Sequence, residues 1–183
     1  MIEIDQILDE LDNSRERLLV AIEELPDEAL LTPGALGEWS IADLLVNLTV
    51  WEAEVVTAVM RLDQGKKPEA LQLAMSKPDE FDTRCQVENN GRDLDHVFAD
   101  WQQVRVQLEE WLETLPVRYL TNPKRYKWLN GRSLWQVIQE VLIAREKRYL
   151  PYVQLFAQRW QIDPTSILPA EDVENDSPIA QPD

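Results

Sequence analysis

Apolar residues in this chain recur at helical spacing through four long stretches, with no strand-like alternation between them. The first runs from Ile4 to Leu25, with Ile4, Ile7, Leu8, Leu11, Leu18, Leu19, Ile22 and Leu25 on one face. The second runs from Ile41 to Leu62 and carries Ile41, Leu44, Leu45, Leu48, Trp51, Val55, Val59 and Leu62. The third spans Asp93 to Leu115, with Leu94, Val97, Phe98, Trp101, Val104, Leu108, Trp111, Leu112 and Leu115 inward. The fourth spans Ser133 to Trp160, with Leu134, Ile138, Val141, Leu142, Tyr149, Tyr152, Phe156 and Trp160 inward. Such stripes leave water only by packing on one another, so the expected fold is an all-α four-helix bundle over residues 1–162.

The punctuation agrees. Ser40 with Asp43, and Ser133 with Gln136, have the spacing of capping boxes. Pro151 is expected to bend the fourth helix, because it lacks the N–H that would bond back one turn. Pro68, Pro78 and Asn89-Asn90-Gly91 interrupt residues 66–92, where short helices are expected over 68–75 and 79–88. The second and fourth helices begin alike, as capped amphipathic helices commonly do. Residues 163–183 are rich in Pro, Ser, Asp and Glu, and are expected to form a disordered acidic tail.

The net charge is −16. An acidic surface repels nucleic-acid phosphates and anionic lipids, so neither is an expected partner. Cys85 is the only cysteine, which excludes an intrachain disulfide and fits a reducing compartment. The opening MIEIDQILDELD has neither the basic nor the apolar region of a signal peptide, and no apolar run is long enough to span a membrane. The expectation is a soluble, cytoplasmic chain.

Two stretches resemble a known family. Glu38-Trp39-Ser40-Ile41-Ala42-Asp43-Leu44-Leu45-Val46-Asn47-Leu48, followed by Trp51-Glu52, resembles the second-helix signature of the DinB-like bundles, most closely the ClbS/DfsB branch. Tyr126-Lys127-Trp128 and Gly131-Arg132-Ser133-Leu134 resemble the entry to that family's last helix. The resemblance covers residues 4–160. It implies a four-helix bundle with a pocket between its helices, often a homodimer. Many members hold a divalent metal with three histidines, one from the second helix and two from the last at His-x-x-x-His spacing. Thiol transferases, hydrolase-like enzymes and a colibactin-resistance protein belong to this broad group.

This sequence departs from the metal pattern. The second-helix histidine corresponds to Asn47. The last-helix pair falls on Ala144 and Arg148, or one residue later on Arg145 and Tyr149. Asparagine is a poor ligand for such metals and arginine a repulsive one, so no metal and no cofactor are expected. The only histidine, His96, lies in the third helix. Cys85 and His96 have the residue types of a nucleophile–base pair but fall in different segments, and they read as incidental.

Arg145 stands out, because an uninterrupted helix centres the fourth apolar stripe almost on it. A guanidinium there needs a partner, and Glu52 on the flank of the second stripe is the expected one. Arg15 fills the gap between Leu11 and Leu18 in the same way. The candidate pocket residues are Asn47, Trp51, Glu52, Arg145, Arg148 and Tyr149. Trp51, Trp101, Trp111 and Trp160 lie on apolar stripes and read first as core. Three functions fit: a metal-free bundle binding a small molecule between its helices, a metal-free hydrolase or resistance enzyme of the ClbS type, and a dimeric interaction module with a degenerate pocket.

Overall fold

The computed structural model describes residues 3–167, so residues 168–183, most of the expected disordered tail, lie outside the described residues. The chain is all-α, with a lone bridge between Leu36 and Trp39 the only β-type pairing among the described residues. Helix α1 (Ile4–Ile22) is followed by a short α2 (Asp27–Leu31). Then come α3 (Ile41–Asp63), the short α4 (Glu69–Ser76) and α5 (Pro78–Asn89), α6 (Leu94–Thr114) and the short α7 (Val117–Thr121). The last rod consists of α8 (Leu134–Ile138), a π-helical turn (Gln139–Ile143) and α9 (Ala144–Ile162). Helix α3 packs chiefly on α6, and α1 on α9.

Local chemistry sets the boundaries. Ser40 and Ser133 both form full capping boxes, with Asp43 and Gln136 reaching back to the cap N–H. Helix α1 stops at Ile22 rather than Leu25, and Pro26 opens α2 instead. Beyond Ile162, Asp163 accepts from the Thr165 N–H and starts a 3₁₀ turn. Ile167 packs against the core near Gly34, so the first residues of the expected tail are ordered.

The last rod departs most from expectation. The Ala144 N–H bonds to the Gln139 carbonyl, five residues back, so the π turn inserts one residue into the helical register. Everything after it turns by about 100° relative to an uninterrupted helix. Several inward positions therefore move one residue on, while Phe156 and Trp160 stay buried as expected. Glu146 is buried where Arg145 was expected, and Val153 where Tyr152 was expected. Tyr152 is exposed.

Each long rod places one charge at the middle of the bundle: Arg15 from α1, Glu52 from α3, Arg105 from α6 and Glu146 from α9. Arg15 pairs with Glu52 through Nη2 and lies 3.4 Å from Glu146 Oε1 through Nε. Arg105 pairs with Glu52 through Nε and lies 3.3 Å from Glu146 Oε1 through Nη2. The remaining donors reach backbone: Arg15 Nη1 donates to the Trp101 carbonyl at 2.6 Å, Arg105 Nη1 to the Leu11 carbonyl at 2.8 Å. The Arg15 guanidinium also lies 4.2 Å from the centroid of the Trp101 ring. This layer separates two apolar clusters. One is built around Leu11, Trp51, Val55 and Leu108, the other around Leu18, Leu44, Leu48, Val97 and Phe156.

The expected Arg145–Glu52 pair is not formed, since Glu52 gives both oxygens to Arg15 and Arg105. The register shift explains this, because it turns Arg145 off the bundle axis. Replacing Arg105 by Met should therefore destabilise the chain by about 3–5 kcal/mol in urea unfolding, with much of the loss recovered in the double variant carrying Glu52→Gln. The corresponding Arg145–Glu52 cycle should close to within about 0.5 kcal/mol. Strong coupling in the second cycle and none in the first would contradict this arrangement.

Candidate functional site

Asn47 and Trp51 are one turn apart on α3, so their side chains leave the same face. That face meets α5. Phe81 and Cys85, also one turn apart, are the buried residues of α5, and Phe81 packs on Trp51 with ring centroids 4.5 Å apart. These contacts carry Asp82 to the edge of α3. Arg145 arrives from the other side as the second residue of α9, directly after the π turn.

The four polar groups close on one another. Asp82 Oδ1 accepts from Trp51 Nε1 at 2.6 Å and from Asn47 Nδ2 at 2.9 Å. Arg145 Nη1 donates to Asp82 Oδ2 at 3.1 Å and lies 3.4 Å from Asn47 Oδ1. Its guanidinium carbon is 4.2 Å from the centroid of the Trp51 ring, which adds a cation–π contact. One carboxylate is thus held by an indole N–H, an amide and a guanidinium, a set of mostly charge-assisted bonds. Arg145 and Asp82 keep 14% and 17% of their side-chain surface exposed, so the constellation borders solvent. The crevice beside it, between Asn47 and Cys85, leaves no room for a water molecule.

Of the six residues singled out from sequence, Asn47, Trp51 and Arg145 come together. Glu52 leaves α3 toward the central charge layer instead. Arg148 is exposed, with its guanidinium 5.7 Å from the centroid of the Tyr149 ring, and Tyr149 packs on the second apolar cluster. Both lie outside the constellation, again because the π turn rotates α9. Asp82 was missed because it sits in a short helix whose only apolar anchors are Phe81 and Cys85. Arg105 was missed although it repeats the signal that marked Arg15: it stands four residues after Trp101 and three before Leu108, as Arg15 stands after Leu11 and before Leu18.

The residues present do not fit the family metal. The Asn47 amide has its N–H taken by Asp82 and its oxygen facing Arg145. Ala144 offers no donor, and Arg145 brings a fixed positive charge to the spot. Among the described residues no three His, Cys, Asp or Glu side chains converge. Burial, with Asp82 nearby, pushes the Cys85 thiol up to about 11, which disfavours the thiolate. His96 is exposed in the first turn of α6, 3.3 Å from Asp93.

Residues 10–143 match the family model of the DinB superfamily. The chain belongs to the DinB superfamily. The matched span contains Asn47, Trp51 and Asp82 and ends immediately before Ala144, Arg145 and Arg148. Comparison with curated proteins and with solved structures gives no match. Among the described residues no helix is long and apolar enough to cross a membrane.

A second carboxyl pair adjoins the charge layer. Burial and the neighbouring Asp12 push Glu109 up to about 7, and one Glu109 oxygen is buried without a hydrogen-bond partner. Two neighbouring carboxylates do not both ionise comfortably, whereas a protonated one can donate. Because Glu109 holds its proton more tightly in the folded chain, its contribution to stability is complete below about pH 4.5 and is lost as pH rises through about 7. Glu109→Gln should flatten stability against pH across that window and raise the melting temperature at pH 8. An unchanged slope would show that Glu109 titrates normally.

Proposed function

We propose that this chain is a metal-free small-molecule-binding member of the DinB superfamily, of the ClbS/DfsB-like branch, that takes a carboxylate or similar oxyanion at Asn47, Trp51 and Arg145. The observation that carries the reading is the way Asp82 is held. Three donors from α3 and α9 converge on one carboxylate, so the chain's own side chain stands where a ligand anion would stand. Asp82 is part of α5, whose hold on the bundle comes mainly from Phe81 and Cys85. An external anion would compete with it for the same donors. The fixed cation supports this use: Arg145 supplies at the family's site level the positive charge that a metal supplies elsewhere in the superfamily, but without a metal's open coordination positions.

The test vacates the site. Asp82→Ala removes the internal anion and leaves Arg145 and the Trp51 N–H short of partners, costing about 1–3 kcal/mol. Benzoate at about ten times its dissociation constant should then raise the melting temperature by roughly 3–6 °C, with a smaller rise in the unsubstituted chain. Adding Arg145→Met should abolish the rise. No response in Asp82→Ala, or an equal one without Arg145, would sink the proposal.

A second reading is favoured by the tightness of the crevice beside Asn47 together with the outer face of α9. Tyr152, Leu155 and Ile162 are exposed there at 56%, 47% and 84%, at helical spacing. They suit a homodimer in which the chain acts as an interaction module. Light scattering would then give about twice the chain mass of 21.3 kDa, falling to one chain mass when Leu155 and Ile162 are changed to Lys. A single chain mass at the outset removes this reading.

A further inference from the structure

A separate cavity of about 590 Å³ lies between the C-terminal end of α3 and the segment that leads into α8. Its chemistry is the reverse of the rest of the protein. Lys66, Lys67, Arg125 and Lys127 all line it, in a chain whose net charge is −16. Among the described residues, none of these four cations forms an ion pair, whereas Arg15, Arg92, Arg105, Arg132 and Arg145 all do. Asp63, at the end of α3, is the carboxylate close enough to act on Tyr126 in the cavity wall, and it leaves the four cations in excess. Like charges gathered in excess repel one another, and a bound anion relieves that repulsion.

The backbone holds the two sides in place. Helix α3 ends at Asp63, and two residues on Gly65, with a φ of 71°, takes the left-handed conformation that glycine adopts without strain. The Lys66 N–H bonds back to the Arg61 carbonyl at 2.8 Å, turning Lys66 and Lys67 toward the cavity. Opposite, Lys127–Leu129 forms a 3₁₀ turn anchored by the fully buried Leu129 and closed by Asn130 in the left-handed region. Tyr126 and Trp128 from this turn pack partly on the first apolar cluster and, with Leu62, give the cavity an aromatic and aliphatic wall. The Arg125 guanidinium stacks 3.9 Å from the centroid of the Tyr119 ring, which limits its freedom.

We propose that this cavity binds a small planar aromatic molecule carrying a phosphate-class dianion. The volume is that of a small-molecule site and far exceeds what a bare phosphate fills. The aromatic wall suits a ring, and four cations exceed what a single carboxylate would call for. The acidic remainder of the surface disfavours a long polyanion while tolerating a compact one. This site is independent of the Asp82 constellation, since the two share no residue.

The experiment is isothermal titration of the full chain with 1-naphthyl phosphate, inorganic phosphate and 1-naphthol. Naphthyl phosphate should bind one per chain, roughly tenfold or more tighter than either half of the molecule, and more weakly as salt rises. Changing Lys66, Lys67 and Lys127 together to Gln should reduce that affinity by roughly tenfold or more with the melting temperature preserved, because all three are surface residues. Lys127→Gln alone should give a smaller loss, and it serves if the triple variant folds poorly. Asp82→Ala should leave the affinity unchanged, which separates this site from the one above. Absence of binding, equal affinity for inorganic phosphate, or full affinity in the lysine variants would overturn the proposal.

Discussion

Two arginines and two glutamates, one from each long rod, meet in the middle of a core that is otherwise leucine, valine and tryptophan. The layer is neutral only as a set. Glu52 satisfies two guanidiniums at once, and both guanidiniums reach Glu146 as well as a backbone carbonyl. Burial works against the charge on each arginine; at Arg105 the two glutamates outweigh it and hold the guanidinium above its ordinary value, while at Arg15 burial and the neighbouring Arg105 leave it lower. Sliding any rod by a turn would place a charge among apolar side chains, at a cost of several kcal/mol. The layer therefore selects the register of the bundle more than it adds to stability. It also explains why Glu52 serves the core rather than Arg145.

With Glu52 committed to the core, the polar face left on α3 is Asn47 and Trp51, one turn apart. Its complement comes from the connection between the second and third long helices. Phe81 and Cys85 press α5 onto α3, and Asp82 between them meets the guanidinium that α9 brings, Arg145. Polar groups from α3, α5 and α9 thus converge at the edge of the bundle, where Asp82 closes the set.

Much of this was legible in the sequence and some was not, for identifiable reasons. Periodicity and caps located the four long helices, and Pro68, Pro78 and Asn89-Asn90-Gly91 marked off the short α4 and α5, because stripe, cap and breaker act within a few residues of each other. The short α2 and α7 carry no such stripe. Arg15 was recognisable as an interior charge from its place between Leu11 and Leu18, and the same arithmetic applied to Trp101 and Leu108 would have found Arg105. Arg145 was recognisable as a cation needing a carboxylate, but its partner was not, for two reasons. The π turn at Gln139–Ile143 has no mark in the residue pattern, so constant helical spacing pointed the wrong residue inward. Asp82 belongs to a short, mostly exposed helix with no stripe from which to infer its facing.

The π turn also ties the length of the chain to its composition. Losing the turn while keeping every residue would restore an ordinary helix and rotate everything downstream by about 100°. Arg145 would then face the central layer and Glu146 would leave it, replacing two positive and two negative charges with three positive and one negative. Removing one residue between Gln139 and Ile143 has the opposite effect: the helix closes up and the glutamate, one position earlier, keeps its inward place. The turn and its extra residue are therefore a single unit of change, and relatives lacking both would be expected to carry their interior acid one position earlier.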